Sequence, residues 1–312
     1  MLDIIKPIEK EFCTVRENLS SALHSSYSQL GEVTRYLVTP HGKMLRPALT
    51  LLMAKHYGKI TERTIAVASM IEMVHYATLV HDDVIDEAYT RQRGLTLGAL
   101  LRSRSAVLVG DYIFSKGLSQ ASKAGAYQEL DVVIAAIESL VEGELLQAQN
   151  VEHYNPAIES YYEVARLKTA ALLSAAAMGG ALSVGANDTE IQKAKKFGEI
   201  LGILFQIQDD VLDYLPKELT GKEPYNDLKE RKMTLPLLLA IQEGGSSIIK
   251  HIRVGNIEKV ANFVEKHQGI RRTEEHIERL TKEALAMVED MQPSDAQKAL
   301  RRAVEFAGAR KY

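Results

Sequence analysis

Cysteine occurs once, at Cys13, so no intramolecular disulfide can form and a zinc cluster has no thiolate set to draw on. That usage suits a reducing cytosol. Glycine and proline are sparse, 20 and 8 among 312 residues, and fall mostly between stretches of helical periodicity. Alternating, strand-like segments are missing. There is no basic excess either: the formal net charge is −3, which gives no footing for a nucleic-acid partner. No apolar run reaches the roughly 18 residues that a membrane span needs. Ala170 to Val184 comes nearest and is short and rich in Ala and Gly. The N-terminal residues do not read as a signal peptide, so a cytoplasmic protein is expected.

What fills the chain is Ala, Leu, Glu, Lys and Met in long stretches of 3.6-residue period. The fold class expected is all-α, in a single domain over 1–312. Helices are expected near 5–30, 45–57, 61–88, 105–122, 127–150, 158–183, 188–214, 231–243, 256–267 and 271–309.

Into one mostly apolar helix, Ile65 to Val80, runs the segment Leu79-Val80-His81-Asp82-Asp83-Val84-Ile85-Asp86-Glu87. On a helix Asp82 and Asp86 share a face, one turn and roughly 6 Å apart. Carboxylates carried on a buried helix repel one another and resist desolvation, so positive charge must sit between them. Their spacing suits Mg²⁺, which takes one or two carboxylates plus water and substrate phosphate. A lone pattern of this kind reads equally well as a solvated acidic patch. It recurs, however: Gln208-Asp209-Asp210-Val211-Leu212-Asp213 follows the apolar run Ile200 to Ile207. Two such segments suggest two helices facing each other across a metal-filled cavity.

Cationic groups accompany them. Gly42 and Pro47 suit a turn into a helix start, where Lys43 and Arg46 would project together as an anion pocket. His75 lies two turns above Asp82 on the same face. It reads as a buried, hydrogen-bonded histidine or as a polar group lining the cavity. Thr90-Arg91-Gln92-Arg93-Gly94 is either an ordinary charged loop or a phosphate contact beyond the first acidic segment. Asp111 and Glu142 read either as buried supporting groups or, by default, as satisfied structural residues. Gly143 inside a helix, costing about 1 kcal/mol relative to Ala, hints at close helix packing. Lys168 is a further phosphate candidate, Gln206 lies three residues before Asp209, and Lys222 and Lys232 flank a charged loop that can reach back over the site. No nucleophile–base dyad stands out. So many cations and carboxylates around an apolar helical cavity suit a substrate with a diphosphate head and a greasy tail. Catalysis would be electrostatic stabilisation of a leaving diphosphate.

The chain resembles the trans-isoprenyl diphosphate synthases, or polyprenyl synthetases, over nearly its whole length. Matching pieces occur in family order: Gly42-Lys43-Met44-Leu45-Arg46-Pro47, Asp82-Asp83-Val84-Ile85-Asp86, Gly110-Asp111-Tyr112, Glu142-Gly143-Glu144, Lys168-Thr169, Phe205 to Asp213, Gly221-Lys222 and Asp227-Leu228. The resemblance implies a homodimeric enzyme, an all-α helical bundle around a central cavity, that joins isopentenyl diphosphate head-to-tail to an allylic diphosphate, using three Mg²⁺ ions with substrate bound. By that likeness Asp82, Asp86 and Asp209 are the chief metal ligands, and Asp83, Asp210 and Asp213 complete or support them. Arg91, Lys168, Lys222 and Lys232 would hold the allylic diphosphate, and Lys43, Arg46 and His75 isopentenyl diphosphate. Thr169 and Gln206 would lie near the carbocation. The departing diphosphate would take the proton.

One position departs from the family. Where it usually reads Arg-Arg-Gly, this chain has Arg91-Gln92-Arg93, and Arg93 is the expected substitute for the missing charge. Short-chain members commonly carry a bulky aromatic at the level of Ala77 and Thr78. The open level here predicts a long-chain product, about six to eight isoprene units at one helical turn per unit. Met70 and Met73 are candidate lower obstacles. A terpene cyclase, a short-chain synthase, a non-catalytic partner subunit and a di-iron bundle are the rivals. The di-iron bundle lacks its paired Glu-x-x-His elements. The sequence leaves open a transient membrane contact to release a greasy product.

Overall fold

The computed structural model describes residues 2–23, 44–85, 90–91, 94–95, 103–221 and 223–309. They are overwhelmingly helical. The only β pairing among them is a two-residue antiparallel ladder, with Thr90 opposite Leu95 and Arg91 opposite Gly94.

Two compact units can be distinguished. One comprises Met1–Ala135, Ala175–Lys195 and Gln292–Leu300; the other comprises Ala136–Ser174, Lys196–Met291 and Arg301–Tyr312. The first is built around the helix Glu62–Ile85. Val67, Met70, Ile71, Met73, Val74, Ala77 and Val80 are all buried along it. A helix apolar on every side must be covered on every side. Glu9–Leu23, Leu45–Tyr57 and Ser103–Lys123 pack against it. Gly117 lets the last of these approach closely: a Cβ there would stand 3.1 Å from that of Met73.

The second unit has a comparable core helix, Leu235–Gly244, in which Leu235 to Ile241 are buried. Ile158–Val164, Ile257–Lys266 and Gly269–Glu289 cover it. Arg272 donates from Nη1 to the Leu239 carbonyl at 2.6 Å, tying the Gly269–Glu289 helix to the core helix.

Three elements differ from expectation. The stretch expected as one helix over 158–183 contains a π-helical turn, Ala165–Ala170, between Ile158–Val164 and Ala171–Leu182. The stretch expected over 271–309 breaks between Glu289 and Asp295, because Pro293 cannot continue a helix. The charged loop after Asp213 contains two one-turn helices, Lys217–Thr220 and Asn226–Lys229. Among the described residues no helix is long and apolar enough to cross a membrane.

Candidate active site

In the first unit, Asp82 is half-buried near the end of the Glu62–Ile85 helix, and its neighbour Asp83 is buried. His81 faces Ser103–Lys123: its Nε2 lies 3.4 Å from Asp111 Oδ1 and 3.3 Å from the Val107 carbonyl. Asp111 is exposed, as is Glu142, so neither is a buried supporting group. The reason is their helix register, which turns both side chains outward. His75 is half-buried. Thr78 donates to the His75 carbonyl at 2.9 Å, and Ala77 is buried. Arg46, in the first turn of Leu45–Tyr57, lies toward buried Glu72 of the next helix. Lys43, Asp86, Arg93 and Lys222 lie outside the described residues, as does the side chain of Arg91.

The second unit gathers more of the expected residues. A π-turn adds a residue to the helical turn and re-aims its side chains, a device common at functional sites. Here it carries Lys168 and Thr169. Lys168 Nζ donates to Glu144 Oε2 at 2.8 Å and to Gln147 Oε1 at 2.6 Å. Gly143 makes that approach possible, since a Cβ on it would stand 2.7 Å from the Lys168 backbone nitrogen. The hint of close packing at Gly143 is therefore explained by a specific partner.

Thr169 donates to Gln206 Oε1 at 2.6 Å, and Gln206 Nε2 donates to Asp210 Oδ1 at 2.9 Å. The other Asp210 oxygen accepts the Leu235 amide at 3.2 Å, serving an orphan donor at the start of the core helix. Burial, then the charge of Asp227, pushes the Asp210 carboxyl up to about 7. Asp213 accepts the amides of Asn226 and Asp227, each at 3.0 Å, and so shapes the turn after Tyr225. Burial and Asp227 raise it to about 6. Asp209, by contrast, is exposed. The segment thus divides its labour: one carboxylate points outward and two brace the chain.

Asp227 is the carboxylate that motif reading left without a role. It is brought beside Asp209 and Asp213 by the turn that Asp213 caps. Its carboxyl is held above the usual range chiefly by burial, against the opposing charge of Lys232. Lys232 Nζ is 3.5 Å from Asp227 and 2.5 Å from Glu230, so it is engaged within its own loop. Glu144 and Gln147 were likewise missed as partners of Lys168, although their i, i+3 spacing puts them on one helix face.

These donors suit a hard cation. They are carboxylate oxygens, with no thiolate or imidazole among the aspartates at 209–213. Among the described residues no three acidic, His or Cys side chains converge tightly enough to hold an ion alone.

A family model described as polyprenyl synthetase matches residues 27–266. The chain belongs to the polyprenyl synthetase family. It is 30% identical over 311 residues to the heptaprenyl diphosphate synthase component 2 of Geobacillus stearothermophilus, covering 98% of this chain and 97% of that one. To the octaprenyl diphosphate synthase of Escherichia coli (strain K12) it is 34% identical over 245 residues, 78% of this chain and 76% of the other. Among solved structures, a polyprenyl synthase from Caulobacter crescentus CB15, complexed with calcium and isoprenyl diphosphate, superposes with a TM-score of 0.93 at 26% identity, covering 99% and 98% of the two chains. A geranylgeranyl pyrophosphate synthase from Bacteroides thetaiotaomicron gives 0.85 at 32% identity, covering 99% and 98%. This polyprenyl synthetase is a prenyltransferase with the all-α isoprenoid synthase fold. Matches to both long- and shorter-chain synthases mean that the fold alone does not set product length.

Proposed function

We propose that this polyprenyl synthetase condenses isopentenyl diphosphate head-to-tail onto an allylic diphosphate, such as farnesyl or geranylgeranyl diphosphate, and makes a long-chain trans-polyprenyl diphosphate. The observation that carries the reading is the π-turn at 165–170, which sets Lys168 against Glu144 and Gln147 and ties Thr169 through Gln206 to the second acidic segment.

In this reading the allylic C–O bond breaks and its electron pair leaves with diphosphate. The delocalised cation is attacked by the isopentenyl double bond, a C–C bond forms, and a proton lost to the departing diphosphate restores a double bond. Lys168, Arg91, Lys222 and Lys232 hold the allylic diphosphate as charge builds on it. Lys232 leaves Glu230 and Asp227 to do so. Lys43, Arg46, His75 and Arg93 hold isopentenyl diphosphate. Thr169 and Gln206 face the allylic carbon. Asp82, Asp86 and Asp209 are the metal ligands, with Asp83, Asp210 and Asp213 in support. When bound, three Mg²⁺ ions supply positive charge to the leaving diphosphate. Apolar surroundings keep water from the cation.

One domain over 1–312, a homodimer, a cytoplasmic setting and transient membrane contact at product release complete the proposal. Diphosphate release that needs both substrates, stops with chelator and returns with Mg²⁺ is the expected result. Release that chelator leaves untouched would refute it.

A second reading has a specific basis. Gln92 removes a charge-assisted contact, and one relative is named as a component of its synthase. In that reading the chain works only with a second polypeptide, and the purified chain alone releases no diphosphate.

A further inference from the structure

Arg231 and Arg253 meet on one tyrosine in the second unit. The Arg253 guanidinium lies over the Tyr154 ring, 5.0 Å from its centroid, and Arg231 Nη1 donates to the Tyr154 hydroxyl at 3.5 Å. Two like charges on one neutral ring repel, and a carboxylate between them would be the usual remedy. Among the described residues neither arginine has one. The backbone at both ends of the contact is unusual as well. Arg231 has φ 59° and Tyr154 φ 52°, in the left-handed region that bulky side chains rarely adopt. Arg231 follows the one-turn helix Asn226–Lys229, at a place where glycine would fit without strain. An arginine held there against that strain points to a use for its charge.

More cations gather beside it. Arg253 ends the short helix Ile249–Arg253, and His251 on that helix is held below its usual range by desolvation and then by the charges of Lys259 and Lys250. Arg231, Lys250, Arg253 and Lys259 are all exposed, and none pairs with a carboxylate among the described residues. Of the carboxylates in these segments, Glu230 is taken up by Lys232 at 2.5 Å, and Glu258 is exposed in the first turn of Ile257–Lys266. At the tip of the turn Val254 is 75% exposed, next to Gly255 at φ 67°. The chain as a whole carries a net charge of −3, so net charge gives no attraction for an anionic partner and the attraction has to be local.

We propose that Arg231, Lys250, Arg253 and Lys259, with Val254 at the tip, form a docking surface for an anionic lipid bilayer. The four cations supply attraction to the headgroups, and Val254 enters the boundary between headgroups and acyl chains. Tyr154, with an apolar ring and a polar hydroxyl, suits the same level. A few cations and one apolar tip give reversible binding, since stable anchoring takes a larger apolar insertion. Lys232 follows Arg231 in the chain, so the surface abuts the loop that the reading above gives to the allylic diphosphate. Its use in releasing a greasy product rests on that reading; the surface itself does not.

The test is flotation of the full chain with vesicles, without substrates. Wild type should float with phosphatidylcholine vesicles that contain phosphatidylglycerol at low salt, and not with phosphatidylcholine alone. Binding should be lost at about 1 M salt, where the Debye length falls to about 3 Å. Arg253→Gln and Arg231→Gly should each weaken it about fivefold, as expected for one cation near the surface, and together about twentyfold to thirtyfold. Arg231→Gly also relieves the left-handed backbone, so its melting temperature should not fall and misfolding does not account for the loss. Val254→Trp should tighten binding, because indole favours the headgroup level. Lys123→Gln combined with Lys193→Gln removes the same charge from exposed positions in the first unit and should change nothing. No binding to the anionic vesicles, equal binding to neutral ones, or an equal loss in the Lys123 and Lys193 control would overturn the proposal. Full displacement by soluble glycerol phosphate would do so too, since the arginines would then be a site for a free phosphate. Product formation from farnesyl diphosphate, isopentenyl diphosphate and Mg²⁺, run in parallel without vesicles, keeps the two readings apart. Vesicle binding by a chain that makes no prenyl product removes the reading above and leaves the surface standing; an active chain that ignores the vesicles removes only the surface.

Discussion

Glu72 sits in the middle of the Glu62–Ile85 helix, 3% exposed, with Arg46 across from it and Tyr76 one turn on. Burial, partly offset by Arg46, lifts its carboxyl to about 7. In the unfolded chain the group returns to its ordinary value of 4.5. The folded state therefore binds more protons between those two values, and stability falls as pH rises through that window. Glu72→Gln should flatten this slope; urea midpoints measured at pH 5 and pH 7.5 will show it, and an unchanged slope would place the pH dependence elsewhere. At Ala77 the account is steric. Phenylalanine there should shorten the product, and a product distribution identical to wild type would sink the assignment of the tail's path. Arg93→Ala should raise KM for isopentenyl diphosphate about tenfold, the loss of roughly one charge-assisted contact. An unchanged KM would leave Gln92 without its substitute.

Elements were easier to read from sequence than the bonds between them. The 3.6-residue period and the scarcity of Gly and Pro gave the helices, and paired aspartates on a helix face gave both acidic segments. The π-turn at 165–170 was not legible, because Arg166-Leu167-Lys168-Thr169 carries an ordinary helical pattern and its close approach to the neighbouring helix at Gly143 has no local signature. Asp227 was not legible either. Its place depends on the Asp213 carboxylate capping a turn 14 residues later in the chain, a contact with no local signature. The break near Pro293 was legible and passed over: proline inside an apparent helical run ends it. Gly143→Ala tests the element directly. Its Cβ meets the Lys168 backbone nitrogen and Leu167, so the π-turn must shift despite alanine's better helix propensity. Overpacking of this kind costs about 1–3 kcal/mol. A lower melting temperature and a reduced kcat are expected, and a fully active, more stable variant would show that the turn is not held there.

Across the molecule, a greasy substrate tail needs an apolar helical interior, and a diphosphate head needs cations on its rim. Within the first unit the apolar Glu62–Ile85 helix carries half-buried Asp82; within the second, taken by itself, the π-turn carries Lys168, and Asp209 is exposed. Met70 and Met73 are fully buried against the Ser103–Lys123 side. They are ordinary core residues here and remain only candidate obstacles to a lengthening tail. The most direct measurement is therefore the chain length of the product made by the purified protein from farnesyl diphosphate, isopentenyl diphosphate and Mg²⁺. The account predicts a trans-polyprenyl diphosphate of about six to eight isoprene units, set by one helical turn per unit. A product that stops at geranylgeranyl diphosphate would contradict the open level at Ala77 and Thr78, and a folded protein that makes no prenyl product would contradict the proposed activity of the chain by itself.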